Sequence, residues 1–247
     1  MHRFYLPPEA CRRPLLALTG REAHHAAHVL RLRKGERVIV LDGAGGELLC
    51  DIRELSRDRV NLDVVQRQSL PPLPYHLTLL QAIPKGKLFD AIIQKATELG
   101  VRRMVPLLSE RVTTHPSAES AAAKADKWRL AAVDAIKQCG NPWLPVIETP
   151  LRPGEFLERR ETFELPLLAS LAPGSRHPRE HFQVFRERHA RNPNSVCVWV
   201  GPEGDFTPAE MDAIQASGAH PITLGPRVLR SETAAVYCLS ILNYELQ

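Results

Sequence analysis

Three of the four residues from 71 to 74 are proline, in the run Leu70-Pro71-Pro72-Leu73-Pro74. Each ring fixes φ and removes a backbone donor, so neither a helix nor the interior of a sheet passes easily through such a stretch. What lies before it and what lies after it are therefore built separately. The chain is read as two domains, residues 1–70 and residues 75–247.

The two sides carry different hydrophobic periods. Before the prolines, residues 36–41 and 47–52 flank Asp42-Gly43-Ala44-Gly45-Gly46, whose glycines supply the positive φ of a hairpin turn. Val60, Leu62 and Val64 alternate with Asn61 and Asp63 and predict a third, half-buried strand. Thr19 and Glu22 have the spacing of a capping box ahead of Ala23, Ala26, Ala27 and Leu30, which predicts one helix. A small β-barrel with one helix closes such a sheet and removes its edges. After the prolines the pattern alternates. Strands are predicted at 76–83, 104–108, 165–169, 196–200 and 222–224. Helices are predicted at 87–99 and 118–138, from Thr207-Pro208-Ala209-Glu210, and at 232–246. Alternation of this kind means an α/β domain, a parallel sheet covered by helices.

Composition removes several classes of function. With 44% hydrophobic and 24% charged residues the chain is neither disordered nor fibrous. It has no apolar run long enough for a membrane span and no signal-peptide pattern at its start, so a cytoplasmic location without a membrane partner is expected. Cys11, Cys50, Cys139, Cys197 and Cys238 are widely spaced with no C-x-x-C, which fits neither a disulfide framework nor a cysteine zinc site. Cys197 and Cys238 read as small buried hydrophobes. His24, His25 and His28 lack a carboxylate to complete a ligand set, and no metal is expected. The net charge of +4 divides unevenly. Residues 1–70 hold 12 basic and 9 acidic side chains, the remainder 20 and 19.

In an open parallel sheet, ligands gather at the carboxyl ends of the strands. Two predicted strands run there into glycine-bearing loops, Gly201-Pro202-Glu203-Gly204-Asp205 and the segment from Gly225 to Ala234. Taken singly, each is also an ordinary strand-to-helix turn. No G-x-G-x-x-G follows the first strand and no G-x-x-x-x-G-K-[ST] is present, which disfavours a dinucleotide or a nucleoside triphosphate. Lys85 and Lys87 belong either to a solvated turn or to a contact with a nucleic-acid backbone.

The pairing of Val200-Gly201-Pro202-Glu203-Gly204 with Leu224-Gly225-x-Arg227-Val228-Leu229-Arg230-Ser231-Glu232-Thr233-Ala234 resembles the carboxyl-terminal signature of the SPOUT class of S-adenosylmethionine-dependent RNA methyltransferases. More narrowly it resembles the bacterial RsmE family, which methylates N3 of a uridine in the decoding region of 16S ribosomal RNA. Arg3-Phe4-Tyr5, His28-Val29-Leu30-Arg31 with Gly35, Lys95-Ala96-Thr97-Glu98-Leu99-Gly100-Val101 with Pro106, Glu110-Arg111, Lys127-Trp128 and Gln138 extend the resemblance over nearly the whole chain.

The resemblance implies a PUA-like β-barrel that binds RNA, a SPOUT α/β domain with a deep trefoil knot, a homodimer, and S-adenosyl-L-methionine held in the knot. It assigns to the cofactor Gly201, Pro202, Glu203, Gly204, Leu224, Gly225, Val228, Leu229, Arg230, Glu232, Thr233 and Ala234. By position, Leu168, Ala169 and Ser170 form a third wall. Loss of the uracil N3 proton leaves negative charge on two carbonyl oxygens, and Arg230 is the expected stabiliser. Glu232 either orients that arginine or takes the proton, while an ion pair capping the last helix is the plainer reading of both. Arg3, Arg31, Arg33, Lys34, Lys85, Lys87 and Lys95 are the candidate RNA contacts, against scattered solvated charge and, for Lys95, a surface pair with Glu98.

Two positions depart from the family pattern. Asp205 stands where a second glycine is usual and is expected at the lip of the cofactor pocket, the turn needing glycine only at Gly201 and Gly204, and Asn141 stands where an arginine is usual. Two other readings remain open, a ribose 2′-O-methyltransferase of the same class and a non-catalytic RNA-binding or assembly factor.

Overall fold

The computed structural model describes residues 1–13, 15–112 and 117–247. Contacts divide the chain into two compact units, residues 1–72 with 133–144 and residues 73–132 with 145–247.

The first unit holds β1 (His2–Tyr5), α1 (Pro8–Cys11), β2 (Leu16–Thr19), α2 (Gly20–His24), β3 (Arg37–Leu41), β4 (Gly46–Leu55) and β5 (Arg59–Ser69). The strands form one sheet in the order β1-β3-β4-β5-β2, with β1 parallel to β3 and the other ladders antiparallel. Asp42 closes the β3–β4 hairpin, its Oδ1 accepting the N–H groups of Ala44 and Gly46 at 2.7 Å each. Register shifts between β4 and β5, at Val65 and at Arg53, curl the sheet around Phe4, Leu18, Val40, Cys50 and Leu62. The helix predicted after Thr19 is present but the capping box is not. Thr19 makes no side-chain cap bond, and α2 widens into a π turn at His25–Val29. Tertiary partners take Glu22 instead: its carboxylate accepts the Tyr5 N–H at 3.1 Å and pairs with Lys137 at 2.7 Å.

The second unit continues with β6 (His76–Ala82), α3 (Leu88–Glu98), β7 (Arg103–Leu107), α4 (Ala118–Cys139), β8 (Val146–Ile147), α5 (Pro153–Glu158), β9 (Leu165–Ala169), α6 (Pro178–His189), β10 (Ser195–Val200), α7 (Pro208–Ala216), β11 (His220–Ile222) and α8 (Ser231–Leu246). The last part of α4 belongs by contact to the first unit. Six strands form a parallel sheet in the order β11-β9-β10-β6-β7-β8. Leu77, Leu79, Leu167, Leu168, Val196 and Val198 are fully buried along it, as befits strands covered on both faces. Cys197 and Cys238 are buried, and burial pushes both thiols up to about 12. The last strand is His220–Ile222 instead of 222–224, because the Thr223 N–H already bonds the Arg176 carbonyl and Leu224 turns into a cavity.

The strand order fixes where a ligand can go. Chain order runs outward on one side of β6 through β7 and β8, then resumes beyond it at β9, β10 and β11, so a switch point opens there. β11 lies at the outer edge, whereas α8 packs on α3 and β10. Residues 223–230 must therefore return across the carboxyl ends of β9 and β10.

Candidate active site

A cavity occupies that crossing. Ala169, Ser170 and Leu171 leave β9 as one wall, Val200 to Asp205 leave β10 as another, and Leu224, Val228, Leu229, Ser231 and Ala234 close it from the returning segment and the start of α8. Of the residues expected at the cofactor, Leu168, placed there by position, is instead buried within β9, and Gly225, Arg230, Glu232 and Thr233 stand outside the lining. Asp205 lines the cavity, and Leu171, Val200 and Ser231 do so without having been assigned. Their signal was adjacency, since each lies directly beside an assigned stretch.

The turn after β10 needs glycine differently from the sequence expectation. A Cβ on Gly201 would stand 2.8 Å from Asp205 Oδ1 and 3.2 Å from the Phe206 nitrogen, so a side chain there would force the Asp205 carboxylate and the turn to shift. A Cβ on Gly204 would meet Arg111 Cδ at 3.4 Å, an ordinary contact. The left-handed backbone falls on Asp205, at φ +59°. Aspartate visits this region because its side chain bonds locally, and here Oδ1 accepts the Phe206 N–H at 2.8 Å. Burial raises the Asp205 pKa, while the Phe206 N–H and the nearby Arg111 guanidinium pull it down.

Neighbouring elements hold the turn. Arg111 donates to the Gly204 carbonyl, and Glu203 Oε1 accepts the Lys85 N–H at 3.0 Å. Ser231, first residue of α8, is buried. It donates to the Gly201 carbonyl at 2.7 Å and accepts from Gln81 Nε2 at 2.9 Å. Gln81 is fully buried near the end of β6, so one hydroxyl joins β6, the exit of β10 and the start of α8.

Arg230 is the N-cap of α8, with extended backbone (φ −65°, ψ 152°), an exposed side chain and no side-chain cap bond. Glu232 is half-buried, and its Oε2 is buried without a hydrogen-bond partner. Among the described residues the two form no ion pair, so the plainer capping reading is not what the structure adopts.

The candidate RNA contacts separate by surroundings. Arg31, Arg33 and Lys34 are exposed in the loop before β3, Arg31 at φ +53°, and their side chains make no ion pair among the described residues. Arg3 instead turns its Nη1 to the Lys137 and Gln138 carbonyls at 3.5 and 3.4 Å, at the carboxyl end of α4. Gly140, at φ +80°, leaves room for it, since a Cβ there would stand 2.9 Å from Arg3 Cζ. Lys85 and Lys87 are exposed in the turn before α3. Lys95 pairs with Glu98 at 2.9 Å on the surface of that helix. Asn141 Oδ1 accepts the Trp143 N–H at 3.0 Å. Among the described residues no cluster of histidine, cysteine and acidic side chains could hold a metal ion.

Residues 71–243 match the RNA methyltransferase domain family, and residues 18–65 match the RNA methyltransferase PUA domain. The ribosomal RNA small subunit methyltransferase E of Synechocystis is 33% identical over 250 residues, covering 100% of this chain and 78% of that protein. A methyltransferase from Legionella pneumophila, solved in complex with the bound cofactor SAM, superposes with a TM-score of 0.88 at 31% identity, over 98% of this chain and 96% of the other. The ribosomal RNA small subunit methyltransferase E from Neisseria gonorrhoeae bound to S-adenosyl methionine gives 0.85 at 26% identity, over 99% and 97%.

Proposed function

The chain belongs to the ribosomal RNA small subunit methyltransferase E family, and on that premise we propose that it transfers a methyl group from S-adenosyl-L-methionine to N3 of a uridine in the decoding region of 16S ribosomal RNA. It is a methyltransferase of small-subunit ribosomal RNA, an α/β enzyme of SPOUT type with an N-terminal PUA domain. The observation that carries the reading is the cavity where three carboxyl-terminal loops meet.

The cavity's composition fits the cofactor. Its walls are apolar side chains and backbone, and its charged lining side chains among the described residues are the carboxylates of Glu203 and Asp205. Such a lining suits an adenosyl group with a cationic sulfur and offers no basic side chain to the phosphates of a nucleotide. When bound, the cofactor supplies a methyl group on that sulfur and is left as a neutral thioether. The glycine at 201 leaves room for the turn to fold back at Asp205, and the Ser231 hydroxyl holds that wall in place. Arg230, exposed beside the cavity, stabilises the negative charge on the uracil carbonyl oxygens. Glu232, the half-buried second residue of α8, orients Arg230 or takes the N3 proton, and the electron pair stays on nitrogen to form the new bond.

Further parts of the reading follow from the resemblance. Residues 1–70 bind RNA, residues 75–247 bind the cofactor, the returning segment is the threaded part of a trefoil knot, and the enzyme works as a homodimer in the cytoplasm. Among the described residues no helix is long and apolar enough to cross a membrane. Mass spectrometry of nucleosides from small subunits, with and without the gene, tests the reaction. Loss of 3-methyluridine is expected, and loss of a ribose-methylated nucleoside would refute the site of transfer.

A further inference from the structure

Among the described residues that line the cavity, Asp205 alone combines a side chain with left-handed backbone. Strain of this kind persists only where the surroundings over-determine it, and it gathers at functional sites. A glycine would adopt the same φ without cost. The room for the Asp205 carboxylate is itself provided by the missing Cβ of Gly201, 2.8 Å from Oδ1. Oδ1 is committed to the Phe206 N–H, whereas Oδ2 makes no hydrogen bond among the described residues.

We propose that the Asp205 carboxylate makes this cavity selective for a positively charged ligand, so that the sulfonium cofactor is held more tightly than its neutral thioether product. The proposal rests on the reading of the cavity as an S-adenosylmethionine site. The other lining carboxylate, Glu203, is exposed, so water screens its charge more fully than that of the half-buried Asp205. The neighbouring cation, Arg111, is directed at the Gly204 carbonyl and stands outside the lining. The charge offered to a ligand is therefore negative, and partial burial keeps water from screening it fully. Methyl transfer removes the ligand's positive charge, because the electron pair of the broken sulfur–carbon bond stays on sulfur. The attraction to Asp205 vanishes with it, which favours departure of the product.

Isothermal titration calorimetry on the full chain tests this with three probes: S-adenosylmethionine, the amine-bearing analogue sinefungin, and S-adenosylhomocysteine. In the wild type the two cationic ligands bind more tightly than the thioether. In Asp205→Asn, which keeps an acceptor for the Phe206 N–H, that preference falls by roughly fivefold while thioether affinity changes less than twofold. Asp205→Gly, free of backbone strain, shows the same loss. A preference that survives both substitutions overturns the proposal and leaves the cofactor reading intact. Failure of the wild type to bind any of the three overturns both.

Discussion

Asp205 imposes two costs on the folded chain that a glycine there would not, a left-handed backbone and a partly desolvated carboxylate. Its pKa is raised in the fold, so its contribution is most favourable below the ordinary carboxylate range and is lost as pH rises through the raised value. Asparagine carries no such term. Urea unfolding should therefore show Asp205→Asn gaining on the wild type as the pH rises from the ordinary carboxylate range to neutrality. A gap that does not change with pH would mean that solvent, not protein, sets the carboxylate's surroundings. Arg230 poses the opposite case, a residue whose substitution should leave the fold alone. Its side chain is exposed and outside the cavity lining, so Arg230→Ala should abolish methylation while cofactor affinity stays within a few-fold. Turnover at the wild-type rate would sink its role. The motif made Arg230 visible in the sequence. The strain at Asp205 was not visible, because a backbone angle follows from how the turn closes.

Elements were legible in proportion to their length and regularity. The 22-residue α4 and the longer strands of the parallel sheet, β6, β7, β9 and β10, have hydrophobic patterns long enough to read, whereas the two-residue β8 does not. The four-residue β1 and β2 do not, and β1 finds its partner β3 more than 30 residues away. Helices α5 and α6 were missed although each begins with proline and has glutamate at its third position. Their caps, Arg152 and His177, are not the usual Ser, Thr, Asp or Asn. What no local pattern could show is how elements are joined, and Ser231 is the clearest instance, since it bonds Gln81 from 150 positions away. Ser231→Ala would leave the Gly201 carbonyl without its donor in a buried place. We expect a loss of about 1–3 kcal/mol in unfolding free energy. Cofactor affinity should weaken several-fold as well, because the same bond positions a cavity wall. Lower stability with unchanged affinity would confine Ser231 to holding the fold.

Across the whole molecule, the charge division seen at the prolines survives the division that contacts impose. Residues 1–72 with 133–144 hold 13 basic and 10 acidic side chains, and the remainder 19 and 18. Since residues 133–144 bring one charge of each sign, the excess belongs to the first unit by either boundary. An excess alone attracts polyanions only weakly; it matters where the cations are unpaired and face solvent. Arg31, Arg33 and Lys34 meet that condition, whereas Arg3 is held at the end of α4. Replacing the three loop residues with alanine should lower the salt dependence of binding to a 16S fragment by roughly 0.7 per lost phosphate contact, about 2 in all, between 50 and 200 mM salt. Cofactor affinity should not move. Arg3→Ala should behave differently, lowering the stability of the first unit while leaving the salt slope close to that of the wild type. If the triple variant also keeps the wild-type slope, the positive excess of the first unit is solvated surface and RNA is held by other groups.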